Sequence, residues 1–192
     1  MKKYLLLFVI AVAGLMSAAA GNKVELTSGD KSIFLTDVEV NVEIDDHTTV
    51  IDRYDKTADV YYTEKSQDEY DKFVDDCDRG HASFITYFNE NRASKAPKVK
   101  LNFSDNAAAN YVLKVKVDRM NVGNGAGVVY GLNRKAGGAQ IEGTMQLVDN
   151  ATGATVCEFK FKEVKGLMSP VFRARVISVY RYLADELLKT VK

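Results

Sequence analysis

The sequence predicts an α+β fold, a two-layer α/β sandwich in which two helices cover one face of a mainly antiparallel sheet. Three observations predict it. Two segments repeat apolar residues at helical spacing, and five segments alternate apolar and polar residues with a period of two. In addition, the turn at Asp149–Gly153 joins two of the alternating segments with their apolar faces on the same side. Strands with one apolar and one polar face belong to a sheet covered on one side only. Two amphipathic helices are available to cover it.

The elements follow in chain order. Lys2 and Lys3 precede an uncharged apolar stretch, Tyr4 to Met16, and Ser17-Ala18-Ala19-Ala20-Gly21 ends it with small residues in an A-x-A pattern. This order predicts a secretory signal peptide over residues 1–20, cleaved after Ala20, and a single domain over residues 21–192. The apolar stretch is short for a membrane span, which needs about 20 residues. No Cys follows it to carry a bacterial lipid anchor, and no later segment is apolar enough to span a membrane. Without Lys2 and Lys3, 24 basic residues stand against 26 acidic ones, a formal charge of −2. A near-neutral domain has no bulk electrostatic claim on nucleic acid.

Val38, Val40, Val42 and Ile44 alternate with polar residues and predict the first clear strand. Residues 22–36 and 48–63 carry no clear period, and Asp59-Val60-Tyr61-Tyr62-Thr63-Glu64 is expected to add an edge strand. Ser66-Gln67-Asp68-Glu69 is a capping box. After it, Tyr70, Phe73, Val74, Cys77, His81, Phe84, Ile85 and Phe88 form one apolar helical stripe that ends before Pro97. Asp68, Asp71, Asp75 and Asp78 fall on another face, where solvent is the expected neighbour.

Val99, Leu101 and Phe103 predict a strand, as do Tyr111, Leu113, Val115 and Val117. Ile141, Met145 and Leu147 form the next, and Cys157, Phe159 and Phe161 the last. Ser169-Pro170 is expected to cap and open the second helix, with Phe172, Val176, Val179, Tyr180, Leu183 and Leu187 on its apolar face. Arg173 and Arg175 stand near its start, against the helix dipole. They read either as an anion or partner contact or as partners of nearby carboxylates.

With Asp149–Gly153 as an odd-length turn, Met145 is expected opposite Cys157, Gly143 opposite Phe159 and Ile141 opposite Phe161. Glu142 then faces Lys160 on the wet side. An even turn would put the two apolar sets on opposite faces unless a bulge restored the count. Cys77 and Cys157 both point into the expected core. They are either a disulfide, if the helix crosses that strand, or two buried thiols.

The stretch "ANYVLKVKVDRMNVGNGAG", a glycine-rich segment, and then "IEGTMQLVDNATGATV" resemble a pattern in uncharacterised bacterial exported domains. These are similar to the curli-secretion lipoprotein and to the N-terminal domain of TolB. An A-D-Y-x-L strand there leads through a glycine-rich segment to a strand ending V-D-x-x-T-G. Ala109-Asn110-Tyr111 and Val148-Asp149-Asn150-Ala151-Thr152-Gly153 occupy those places, and the resemblance covers residues 97–192. It implies an α/β sandwich in the cell envelope, often within larger assemblies, and it brings no catalytic residues. The lack of a lipid-anchor Cys and of a membrane hairpin departs from the curli-type pattern and argues against pore formation.

Catalytic, cofactor and metal motifs are not expected from this sequence. His81 lies near the first helix stripe as a core-edge residue, and His47 follows Asp45-Asp46 in a polar turn. Gly123-Asn124-Gly125-Ala126-Gly127 fails the G-x-G-x-x-G spacing at Val128 and again at Tyr130, and no Lys-Ser/Thr follows.

The connection from Val122 to Gly138 is long and holds six of the 13 glycines. Its Val128, Val129, Tyr130 and Leu132, followed by Arg134, form the candidate partner-binding loop. The equal alternative is that Val128 to Leu132 extends a strand or folds onto the core. The expected function is a non-enzymatic, exported envelope protein, periplasmic or secreted, that binds another envelope protein or itself. The alternative is a small-ligand carrier with a cavity between helices and sheet. A hydrolase of carbohydrate or peptide is the weakest of the three.

Overall fold

The computed structural model describes residues 23–123 and 137–192. Residues 1–20 and the apolar centre of the glycine-rich connection lie outside them. Among the described residues the strands are β1 (Val24–Gly29), β2 (Glu39–Asp45), β3 (Val50–Ile51), β4 (Lys56–Thr57), β5 (Asn102–Ser104), β6 (Tyr111–Asn121), β7 (Gln140–Asp149) and β8 (Thr155–Lys165). The helices are α1 (Ala58–Thr63), α2 (Gln67–Lys95) and α3 (Phe172–Val191), with a 3-10 turn at Lys31–Leu35. The strands form one sheet in the order β1-β8-β7-β6-β2-β5. β1, β8, β7 and β6 are antiparallel, while β2 runs parallel to both β6 and β5. The fold is the expected α+β arrangement of a sheet covered by helices.

β2 and β3 lie in succession along the same side of β6, opposite residues 111–116 and then 119–120. They are two halves of one line, broken at residues 46–49. The break puts Asp46 at the end of β2, fully buried on the helix side. Elsewhere the pleat sorts the side chains as the alternation requires. Leu113, Val115, Met145, Leu147, Cys157, Phe159 and Phe161 are buried, while Lys114, Lys116 and Lys160 stand in water on the opposite face.

The register of the β7–β8 hairpin differs from the expectation by two residues. Met145 pairs with Phe159, Gly143 with Phe161, Leu147 with Cys157 and Thr144 with Lys160. The turn is even: Asp149 N donates to the Ala154 carbonyl, and Gly153 takes the left-handed conformation with φ 72°. Val148 pairs with Thr155 rather than Ala154, and the register slips between Leu147 and Val148, leaving Val156 as the extra residue. That bulge restores the facing of the apolar sets, so the faces match although the pairs do not. A second slip lies between Ile141 and Gly143, where Glu163 has φ 49°. Glu142 approaches Arg119, at 3.9 Å, rather than Lys160. Gly143 makes room for Phe161 instead of Phe159: a Cβ there would stand 2.8 Å from the Phe161 ring and 2.0 Å from the Lys116 carbonyl oxygen.

Three further expectations are corrected. Residues 58–63 form α1, a helix of under two turns, and not an edge strand. α3 begins at Phe172 with Val171 at its cap position, two residues beyond the expected start; Ser169 Oγ accepts from Val171 N at 3.1 Å instead. The strand around Val99–Phe103 is reduced to β5, because the Lys100 and Leu101 amides donate to the Phe34 carbonyl of the 3-10 turn. Both cysteines are free and buried, so the disulfide alternative falls. Cys157 belongs to the β1–β8 region, opposite Gly29, whereas Cys77 faces Asp46 at the end of β2.

α2 behaves as its stripe predicts. Ser66 Oγ accepts from Glu69 N at 3.2 Å, and Phe73, Cys77, Phe84 and Phe88 are buried. The space between helices and sheet is filled by rings. Phe88 and Phe84 lie on Phe103, with centroids 4.1 Å and 5.6 Å apart, and Phe34 meets Phe159 edge-on at 5.8 Å. The cavity that a carrier would need at that place is occupied by core.

α2 and α3 run in the same direction, held at three levels. Arg173 reaches Asp75 and Asp76, Tyr180 lies over Gly80, and Asp185 accepts from Tyr87 and Lys95. A Cβ at Gly80 would stand 2.3 Å from the Tyr180 ring, so the close approach of the helices requires glycine. Gly80→Ala is therefore expected to lose about 1–3 kcal/mol of stability despite alanine's better helix propensity. Urea denaturation measures it, and a stabilised variant would contradict the packing.

Candidate functional site

Three places collect chemistry-bearing side chains. The first is buried. Asp46 Oδ2 accepts from the Tyr180 hydroxyl at 2.6 Å and pairs with His81 Nε2 at 2.8 Å. The Tyr180 and His81 rings meet edge-on at 5.1 Å. Burial pushes the Asp46 carboxyl up, but the hydrogen bond and charge of His81, with the Tyr180 and Cys77 contacts, outweigh it and hold the group below its ordinary value. Burial, with the Asp46 charge added, pushes the Cys77 thiol well above its ordinary value. Burial does the same to Tyr180. The group has the members of a proton relay, yet its thiol is held protonated and offers no ready nucleophile. What it does is join β2, α2 and α3 at one carboxylate.

The second place is a cleft of about 400 Å³ at the end of the sheet, between the β3–β4 turn, α1 and the first turns of α2. Tyr54 and Tyr61 stack there with centroids 4.2 Å apart, and Tyr62 stacks on buried Phe73 at 4.4 Å. An edge contact between Tyr61 and Tyr62 at 4.9 Å joins the two stacks into one ladder. Lys65 Nζ sits 4.2 Å from the Tyr61 centroid. The bond from Tyr61 raises the Tyr54 phenol, while at Tyr61 burial is outweighed by bonds to Lys65 and Tyr54, which lower it. Asp55, with φ 50°, makes the tight turn that carries Tyr54.

The third place surrounds the ends of the glycine-rich connection. Arg175 is buried, and its guanidinium donates to three carbonyls: Val122 at 2.9 Å, Ser169 at 2.8 Å and Pro170 at 3.2 Å. Gly123 takes φ 71°, and a Cβ at Gly138 would stand 2.1 Å from the Gly166 carbonyl oxygen. Both ends are thus fixed to the segment between β8 and α3. That segment exposes Leu167, Met168 and Val171, each more than half accessible.

The candidate loop residues Val128, Val129, Tyr130, Leu132 and Arg134 lie outside the described residues. Of the two arginines singled out, Arg173 finds carboxylates, with Asp75 at 2.9 Å, and Arg175 finds backbone carbonyls. Asp75 pairs with Arg173 and Arg79 yet stays exposed, so Asp68, Asp71, Asp75 and Asp78 all remain on the solvated face that their spacing suggested. His81 stands at the core edge as expected, but its partner Asp46 was not foreseen. His47 Nδ1 lies 3.3 Å from the Tyr70 hydroxyl. The aromatic cleft was missed as well; its one signal was Tyr54, Tyr61, Tyr62 and Lys65 crowded into a stretch without a period.

No protein-family model matches the chain, and no curated protein sequence matches it. Among solved structures the chain is similar to the PelC dodecamer from Paraburkholderia phytofirmans at 14% identity, with a TM-score of 0.42, over 84% of this chain and 96% of that one. It is likewise similar to a single-residue variant of that dodecamer from the same organism, at 15% identity and a TM-score of 0.40, over 85% and 96% of the two chains. Likeness of this degree specifies neither activity nor partner.

The buried carboxylate has a pH signature. Its value in the fold lies below the ordinary 3.8, so its contribution is present above that value and lost as the pH falls through the depressed one. Asp46→Asn is expected to cost about 1–3 kcal/mol near neutrality. The gap from the parent protein should close in acid below 3.8. Denaturation at a series of pH values measures both, and a gap that stayed constant into acid would contradict the ionised pair.

Proposed function

We propose that the protein is a non-catalytic, exported cell-envelope module that works by contact with another protein or with further copies of itself. The observation that carries this reading is the segment between β8 and α3. Its backbone is tied down: Gly166 N donates to the Ala139 carbonyl at 2.7 Å, Leu167 N to Ser178 Oγ at 2.7 Å, and Arg175 holds Ser169 and Pro170. Its side chains Leu167, Met168 and Val171 nonetheless stand in water. Single exposed apolar residues are ordinary, but three on one rigid segment suit a contact surface whose ordering cost is already met by the fold.

The ends of the glycine-rich connection emerge against this segment, and the sequence pattern of Val128, Val129, Tyr130, Leu132 and Arg134 offers a second set of candidates for partner contact. Export rests on the order of charge, apolar stretch and small residues over residues 1–21. Among the described residues no helix is long and apolar enough to cross a membrane.

The test pairs Leu167→Ser with Met168→Ser. Both side chains are exposed, so stability should change by no more than about 0.5 kcal/mol. Crosslinked species in the native envelope, and any oligomer seen by sedimentation velocity, should be lost. Undiminished crosslinks with unchanged stability would remove this surface from the account.

A further inference from the structure

The aromatic cleft borders that contact segment through Phe172 and the start of the glycine-rich connection through Val122 and Gly123, and it has its own chemistry. Tyr54 stands at the end of the ring ladder, 46% exposed and lining the cleft. The rings behind it are fixed: Tyr62 and Phe73 are 5% and 1% exposed, and Tyr61 is stacked between Tyr54 and Tyr62. A planar ring entering the cleft meets an aromatic platform already at stacking geometry, with little side-chain freedom left to lose.

The charges around the platform are unbalanced. The three carboxylates of the lining already have cationic partners: Asp52 has Arg119 at 3.0 Å, Glu69 has Lys72 at 3.4 Å, and Asp76 has Arg173. Among the described residues, Arg53 and Lys65 have no carboxylate partner. Lys65 instead lies over the faces of Tyr61 and Tyr62, at 4.2 Å and 5.1 Å. The cleft therefore offers ring faces together with two cations that an anion would pair.

We propose that this cleft is a binding site for a small aromatic acid, a planar aromatic ring carrying a carboxylate or phosphate. The ring extends the stack at Tyr54, and the anion lies against Lys65 and Arg53. The site is of the size that small ligands occupy, a few hundred Å³. Its acid selectivity comes from the two cations, because a neutral ring gains the stacking alone. An acid without an aromatic ring gains the charge contact alone.

Isothermal titration calorimetry with 2-naphthoate tests the site, with 2-naphthalenemethanol as the neutral ring and digalacturonate as the non-aromatic acid. Naphthoate is expected to bind at least about tenfold more tightly than either control. Tyr54→Ala should weaken naphthoate by about tenfold, a loss of stacking, and Lys65→Gln by about fivefold. Tyr54→Phe keeps the ring and should bind within about twofold of the parent protein. Thermal melts of the three variants establish that each is folded. The proposal is overturned if naphthoate does not bind, if folded Tyr54→Ala binds it unchanged, or if naphthalenemethanol binds as well, which would mark a merely apolar surface. Tighter binding of digalacturonate would also overturn it, assigning the cleft to an acidic sugar.

Discussion

One buried carboxylate decides how the two layers of this protein meet. Asp46 sits where the line of β2 and β3 is broken, and it accepts from Tyr180 on α3 while pairing with His81 on α2. Hydrophobic contact alone would hold the helices on the sheet but would leave them free to slide, since apolar burial has no direction. A fully buried charge has direction. It must keep its partners, because an unpaired carboxylate in the interior costs far more than any single apolar contact returns. Asp46 follows Val40, Val42 and Ile44 on the core face of that line, and the strand pairing stops immediately before it.

The consequences run outward from there. With Tyr180 fixed at Asp46, its ring lies across Gly80, and α2 and α3 come together along their shared direction. Arg173 with Asp75 and Asp76 closes one end of that pair, and Asp185 with Tyr87 and Lys95 the other. Past the break, Tyr54 on the β3–β4 turn and Tyr61 and Tyr62 on α1 form the wall of the aromatic cleft beside the start of α2. At the same end of the molecule, buried Arg175 ties Val122 to the start of α3, so the exposed Leu167, Met168 and Val171 stand on rigid backbone. Both surfaces to which a role is assigned thus depend on how the helix layer is seated.

How much of this could be read from the sequence follows from which forces leave a periodic trace. Alternation identified β2, β6, β7 and β8 and the inward faces of each, because a half-buried strand must alternate. The stripe from Tyr70 to Phe88 identified α2 for the equivalent reason. The hairpin register was missed by two because face matching is unchanged by a shift of two, and the bulge at Val156 that permits an even turn has no composition of its own. α1 was misread because six residues are too few to separate a period of 3.6 from one of two. The cleft escaped for the same reason: its tyrosines fall on a turn and on that short helix. Asp46 looked like one half of a polar Asp45-Asp46 turn, and only the tertiary fold brings His81 and Tyr180 to it, across 35 and 134 positions of chain.

The most direct test of the central claim is a double-mutant cycle between Asp46→Asn and Tyr180→Phe, read by urea denaturation near neutral pH. If the carboxylate is what fixes α3 to β2, the two losses overlap, and the coupling energy should reach about 1 kcal/mol or more. Losses that add within about 0.3 kcal/mol would show two independent contributions and would contradict the account.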